Sequence, residues 1–131
     1  MNYLIIFSLL EDPMVRHEAG EALGAIGIKS NEVVDVLTKY SKDTHVEVAE
    51  TCILALNRLD WLANKAKEKE NLSENPYYSV DPAPPHINSD VEFLKKTLLD
   101  ESLEMFERYR AMFQLRNKGT DEAILEICYV K

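Results

Sequence analysis

Three side chains close together in the chain, His17, Glu18 and Glu21, combine an imidazole with two carboxylates. On a helix each residue advances about 100° around the axis, which sets His17 and Glu21 one turn apart with Glu18 beside them. Met14 shares this face, which points away from Val15, Ala19, Ala22 and Ile26. Imidazole with carboxylate is a ligand set suited to iron or another divalent transition metal. A solvated face carrying a weak His–Glu pair across one turn has the same spacing. One such pair does not fill a coordination sphere, so a metal site needs partners from elsewhere.

The elements that must position these residues read as helices. Asp12-Pro13 is a helix start, because Asp caps free N–H groups and Pro fits the first turn. Val15, Ala19, Ala22, Leu23 and Ile26 then form an apolar stripe, and Gly27 offers a stop. A second helix is expected from about Glu32 to Tyr40, and a third from about His45 to Asn64. The stripe of the third is Val48, Cys52, Ala55, Leu56 and Leu59, which is the first stripe displaced by 33 residues. That displacement is an internal repeat with the period of a helix pair.

Residues 65–88 differ in character. The run 65–70 is highly charged and reads as a solvated helix end, while Asn75 to Pro85 holds four prolines and is not a regular helix. This stretch reads as an extended linker. Helices resume from Asp90 to Leu99, then from a Ser102 cap to about Asn117, then from a Thr120 cap with Ala123, Ile124, Ile127 and Cys128 inside. Arg108, Ala111, Leu115 and Gly119 repeat Arg16, Ala19, Leu23 and Gly27 at a displacement of 92 residues. The expected fold is all-α: a HEAT-like helical-repeat stack (an α-solenoid) in which each stripe is buried by neighbouring repeats. Its expected divisions are residues 1–64 as an N-terminal lobe segment with one His-Glu motif, 65–88 as the inter-lobe linker, and 89–131 as the start of a C-terminal lobe.

Composition narrows the function classes. The net charge of −8 argues against nucleic-acid binding, which needs clustered Lys and Arg, and favours a cationic partner or simply a soluble surface. Met1 to Leu10 is apolar but lacks a basic leader and is too short to span a bilayer, so no membrane association is expected and the segment is read as docking on the core. Cys52 and Cys128 form no C-x-x-C and read as free, buried thiols.

Four blocks carry a family resemblance. Met14-Val-Arg-His-Glu-Ala-Gly-Glu-Ala-Leu-Gly-Ala-Ile-Gly27 closely resembles a His-Glu repeat of the deoxyhypusine hydroxylases. So do Glu47-Val-Ala-Glu-Thr-Cys52, Tyr78-Ser-Val-Asp-Pro-Ala-Pro-Pro85, and Leu99-Asp-Glu-Ser102 through Phe106-Glu-Arg-Tyr-Arg-Ala-Met-Phe113. The resemblance, from about Glu11 to Glu126, implies a two-lobed HEAT-like stack with four His-Glu motifs around a pair of irons. It implies a cytoplasmic, O2-dependent monooxygenase acting on the deoxyhypusine form of eukaryotic translation initiation factor five A, a protein substrate whose cationic side chain suits the acidic balance here. His17 and Glu18 are the iron ligands carried over, from the second motif of the N-terminal lobe. Glu21 shares their face without a place in the motif. Glu50 and Tyr109 stand where His17 would be in the other units, and His45 and His86 read as surface residues outside any His-Glu pair.

With one motif of four, the chain is expected to be too short for a complete enzyme, to bind iron weakly and to be inactive alone. The alternative is a non-catalytic HEAT-repeat protein-binding module. Self-association of a stack cut at both ends is expected, because uncovered repeat faces are apolar.

Overall fold

A computed structural model describes residues 12–64 and 72–129. Among them are six helices: α1 (Pro13–Ile26), α2 (Asn31–Tyr40), α3 (Val46–Asn64), α4 (Val91–Leu99), α5 (Met105–Lys118) and α6 (Asp121–Cys128). The all-helical repeat architecture expected from the sequence is the one observed. No helix among the described residues is long and apolar enough to cross a membrane. The docking expected of Met1–Leu10 and the charged run 65–70 lie outside the described residues. The chain divides into two compact units, parting between Lys67 and Glu68.

In the first unit, α1 starts where the Asp12 carboxylate accepts a 2.8 Å hydrogen bond from the Met14 N–H. It ends at Gly27, whose φ of 73° is left-handed and whose N–H bonds the Leu23 carbonyl. The core is Leu23, Leu37, Val48, Cys52, Ala55 and Leu59, with Ala19, Val33, Val36, Tyr40 and Leu56 packed against it. Burial of Cys52 pushes its thiol up to about 12.

Helix α1 is turned relative to its expected orientation. The residues it buries are Gly20, Leu23 and Gly24, whereas Val15, Ala22 and Ile26 of the apolar stripe are exposed. The buried face is therefore rotated about 100° around the axis from the centre of the stripe. The cause is close packing on α3: a Cβ at Gly24 would lie 3.0 Å from the Ala55 Cβ and 3.2 Å from its Cα. Only a glycine lets the two backbones come this near. Polar ties hold α1 to α3 and to the turn that precedes it. The Arg58 guanidinium donates to the Gly24 carbonyl at 2.6 Å. Arg16 donates from Nε and Nη2 to the two Asp43 oxygens at 3.0 and 3.3 Å.

The second unit packs α4, α5 and α6 around Val91, Leu94, Leu98, Ala111, Leu115 and Ala123. Thr120 caps α6 as expected, accepting from the Ala123 N–H. Ser102 does not cap α5, which begins three residues later with Glu104 at the cap position and no side-chain bond. The Ser102 hydroxyl instead donates to Asp100 at 2.6 Å, an alternative that short polar side chains readily take before a helix. Cys128, expected to be buried, is exposed, because α6 turns only Ala123 fully inward.

The non-helical residues 73–88 are fastened to α5. Arg116 donates to both Asp81 oxygens at 2.9 and 2.7 Å, and its guanidinium lies 4.8 Å from the Phe113 ring centre. Ser73 donates to the buried Gln114 at 2.7 Å, and the His86 N–H donates to the Arg110 carbonyl at 3.0 Å.

Candidate metal centre

The rotation of α1 decides where His17 sits. Instead of lying opposite the buried face, it lies on its flank, beside α3, with its side chain 31% exposed. Its Nδ1 is 2.7 Å from the Thr51 hydroxyl and 3.4 Å from the Glu47 carbonyl oxygen, both on α3. Its Nε2 points the other way, 4.0 Å from Glu18 Oε1 and 3.9 Å from Glu21 Oε2. Both carboxylates are more than half exposed.

The donor atoms of these three residues lie within 4.8 Å of one another. Two ligands about 2.1 Å from one metal stand roughly 3.0 to 3.4 Å apart, depending on geometry. The two His17–carboxylate separations, 4.0 and 3.9 Å, exceed this by about half an ångström to one ångström, and the full 4.8 Å spread by up to about 1.8 Å, changes that solvated Glu side chains make by rotating about their own bonds. One imidazole nitrogen with two carboxylate oxygens is also the right chemistry for iron or another divalent first-row metal. The residues present therefore fit a metal, and they fill about half of an octahedral shell.

Structure brings Glu21 into the set on equal terms with Glu18, something the motif alone did not indicate. The signal was present in the one-turn spacing from His17. Thr51 and Glu47 lie in the family-like block Glu47–Cys52, but nothing local gives either a place beside His17; the repeat displacement of 33, which aligns Thr51 with Glu18, is the available clue.

A groove of about 490 Å³ opens beside the imidazole, lined by Asp12, Pro13, Met14, His17, His45 and Glu47. Asp43 accepts from the backbone N–H of the lining residue His45 at 2.9 Å as well as from Arg16. The His45 N–H, with help from Arg16, holds the Asp43 carboxyl down at about 2 against the cost of its burial. His45 is half exposed and interacts with Asp43 at 3.1 Å. His86 is not a simple surface residue. Its Nδ1 accepts from the Asn88 N–H at 2.9 Å, and its ring lies 5.2 Å from that of Phe93. Glu50 is exposed, and the Tyr109 ring lies 6.1 Å from that of Phe113. Neither belongs to a donor cluster among the described residues.

No family model matches the chain. Individual proteins do. Over 118 residues it is 57% identical to the deoxyhypusine hydroxylase of Danio rerio, covering 89% of this chain and 38% of that protein. It is 56% identical to the human enzyme over 117 residues, covering 89% and 37%, and 51% identical to that of Saccharomyces cerevisiae over 121 residues, covering 89% and 37%. The solved structure of human deoxyhypusine hydroxylase in complex with glycerol superposes with a TM-score of 0.82 at 52% identity, covering 95% of this chain and 42% of that one. The chain corresponds, in sequence and in fold, to part of a deoxyhypusine hydroxylase. It spans about two fifths of the length of the hydroxylases it matches. The resemblance of the four sequence blocks to that family is thereby borne out, as is the HEAT-like fold class.

Proposed function

We propose that this chain is the part of a deoxyhypusine hydroxylase that supplies one His-Glu ligand pair, His17 and Glu18, to an iron centre. The whole enzyme would be an O2- and iron-dependent monooxygenase converting the deoxyhypusine side chain of translation initiation factor five A to hypusine, in the cytoplasm. The observation that carries this reading is the convergence of Glu18 and Glu21 on His17 Nε2 while Nδ1 is engaged by α3. Similarity to the hydroxylases over nine tenths of the chain supports it.

Iron, when bound, supplies the oxidising power for the hydroxylation. His17 and Glu18 would hold it, the imidazole as a neutral donor and the carboxylate as charge compensation. Glu21 adds a second negative charge on the same face. The groove past Met14 and Pro13 has an apolar floor suited to the methylenes of a long side chain, and the acidic residues around it suit the amine groups of that side chain.

His17 is the one histidine of three that precedes a glutamate. This polypeptide alone is therefore expected to bind one metal weakly and to show no turnover. The decisive experiment replaces the matched segment of the human enzyme by residues 12–129 of this chain. The chimera should add one oxygen atom to the deoxyhypusine-bearing factor, read by mass, and His17→Ala in the chimera should abolish it. A folded, iron-loaded chimera without activity would sink the proposal. A non-catalytic HEAT-repeat binding module is the competing reading, favoured by the single His-Glu pair. It requires that the chain capture the factor without any metal. Self-association belongs to either reading, and sedimentation that stays monomeric at high concentration counts against it.

A further inference from the structure

We propose that Thr51, on α3, is a positioning residue for the centre: its hydroxyl, together with the Glu47 carbonyl, keeps the proton of neutral His17 on Nδ1 and so leaves Nε2 free to bind metal. The inference rests on the metal reading of His17 and Glu18 and adds a residue that lies in a different helix and outside the His-Glu motif.

The argument starts from hydrogen-bond capacity. A neutral imidazole carries one N–H and one bare nitrogen, and the partner of one fixes the role of the other. His17 Nδ1 faces two oxygens, the Thr51 hydroxyl at 2.7 Å and the Glu47 carbonyl at 3.4 Å. A carbonyl oxygen only accepts. A bare Nδ1 would therefore be repelled by it, whereas a protonated Nδ1 is attracted to both oxygens.

The hydroxyl alone would be ambiguous, since it donates as readily as it accepts. The carbonyl beside it resolves this. The Glu47 oxygen can only accept, so the nitrogen that both oxygens face carries the proton, and the Thr51 hydroxyl meets it with a lone pair. Both oxygens then call for a proton on Nδ1. The bare Nε2 faces Glu18 and Glu21, where a metal would sit.

Free imidazole side chains favour the proton on Nε2, so the contact works against the intrinsic preference and needs the fixed geometry of α3. That geometry comes from the Gly24–Ala55 crossing, which sets how near Thr51 approaches α1. Partners that orient a ligating histidine in this way typically change metal affinity by 10- to 100-fold.

The test uses the full 131-residue chain. Its first readout needs no metal: ¹⁵N shifts of the His17 ring nitrogens at about pH 8.5, where free imidazole is neutral. The second is Co²⁺ affinity, read from the absorption of the bound ion. The wild-type chain should show the proton on Nδ1. Thr51→Val, which keeps the shape and removes the hydroxyl, should move the proton toward Nε2 and weaken Co²⁺ binding by about tenfold or more. Thr51→Ser, which keeps the hydroxyl, should restore both. An unchanged proton position in Thr51→Val overturns the inference, and so does a loss that Thr51→Ser fails to restore. If no form of the chain binds Co²⁺ while the proton still moves in Thr51→Val, the metal reading fails and the role of Thr51 in setting the tautomer stands.

Discussion

Replacing Gly24 by alanine sets two opposing effects against each other at the contact that places the candidate centre. Alanine in a helix interior is favoured over glycine by about 0.8–1 kcal/mol. Against this, the added methyl would sit 3.0 Å from the Ala55 Cβ and 3.2 Å from its Cα. Comfortable carbon–carbon contact is about 3.5–4.0 Å, so α1 and α3 must separate by roughly half an ångström. The obstacle includes backbone, which does not swing aside as a long side chain would. Overpacking of this kind costs about 1–3 kcal/mol, leaving a net loss of about 1 kcal/mol. The assay is urea unfolding followed by the fluorescence of Trp61, the chain's one tryptophan, which lies in α3 and so reports on the first unit. A loss of that size lowers the midpoint by roughly half a molar. Ala55→Gly should relieve the clash. The Gly24→Ala/Ala55→Gly pair should be less destabilised than the sum of the singles by about 1–3 kcal/mol. If Gly24→Ala instead stabilises by the full helix-propensity gain and the coupling is near zero, the close approach of the two helices is wrong. The rotation of α1 inferred from it then falls too.

Three further predictions concern the rest of the chain. The Asp43 carboxyl sits below its ordinary value, at about 2, so it stabilises the folded state at pH above about 4. That contribution, about 1 kcal/mol after solvent screening, should disappear as pH falls from about 4 to 2. Asp43→Asn should flatten this acid limb in Trp61-monitored unfolding, and an unchanged limb would contradict the assignment. Gly27→Ala should destabilise the first unit by about 1–2 kcal/mol, because φ is 73° there and a Cβ would meet Leu62 Cδ1 at 2.9 Å. A neutral effect in the same unfolding assay would mean that the left-handed cap is not populated. Cys128 is exposed and Cys52 buried with its thiol pushed up to about 12, so iodoacetamide should label Cys128 well before Cys52. Peptide mapping of the singly labelled protein decides it, and equal labelling would show that the first core opens.

The parts legible in the sequence are those governed by local chemistry or by the repeat. Asp12, Gly27, Thr120 and Gly119 mark helix ends because a cap depends on one residue and its immediate backbone. The 33-residue displacement announces that α1 and α3 are equivalent helices. What stayed hidden is non-local. The apolar stripe of α1 suggested one buried face, but Gly20 and Gly24 select another, because close backbone approach outweighs side-chain size. His17 was identifiable from its motif, yet its neighbours on α3 depend on that rotation. The prolines between Asn75 and Pro85 exclude a helix, but they do not disclose that Arg116, some 35 residues on, grips Asp81.

The alignment of Thr51 with Glu18 gives one structural position two duties. On α1 it offers a carboxylate to solvent beside His17; one repeat later it offers a hydroxyl back to the same imidazole. A repeat carrying this donor set is thus not a self-contained cassette. Moving α1 and α2 into another helical stack would carry the donors but leave their buttress behind. The smallest transferable unit runs through α3, so neighbouring repeats are coupled at such a site even where only one of them carries the donors.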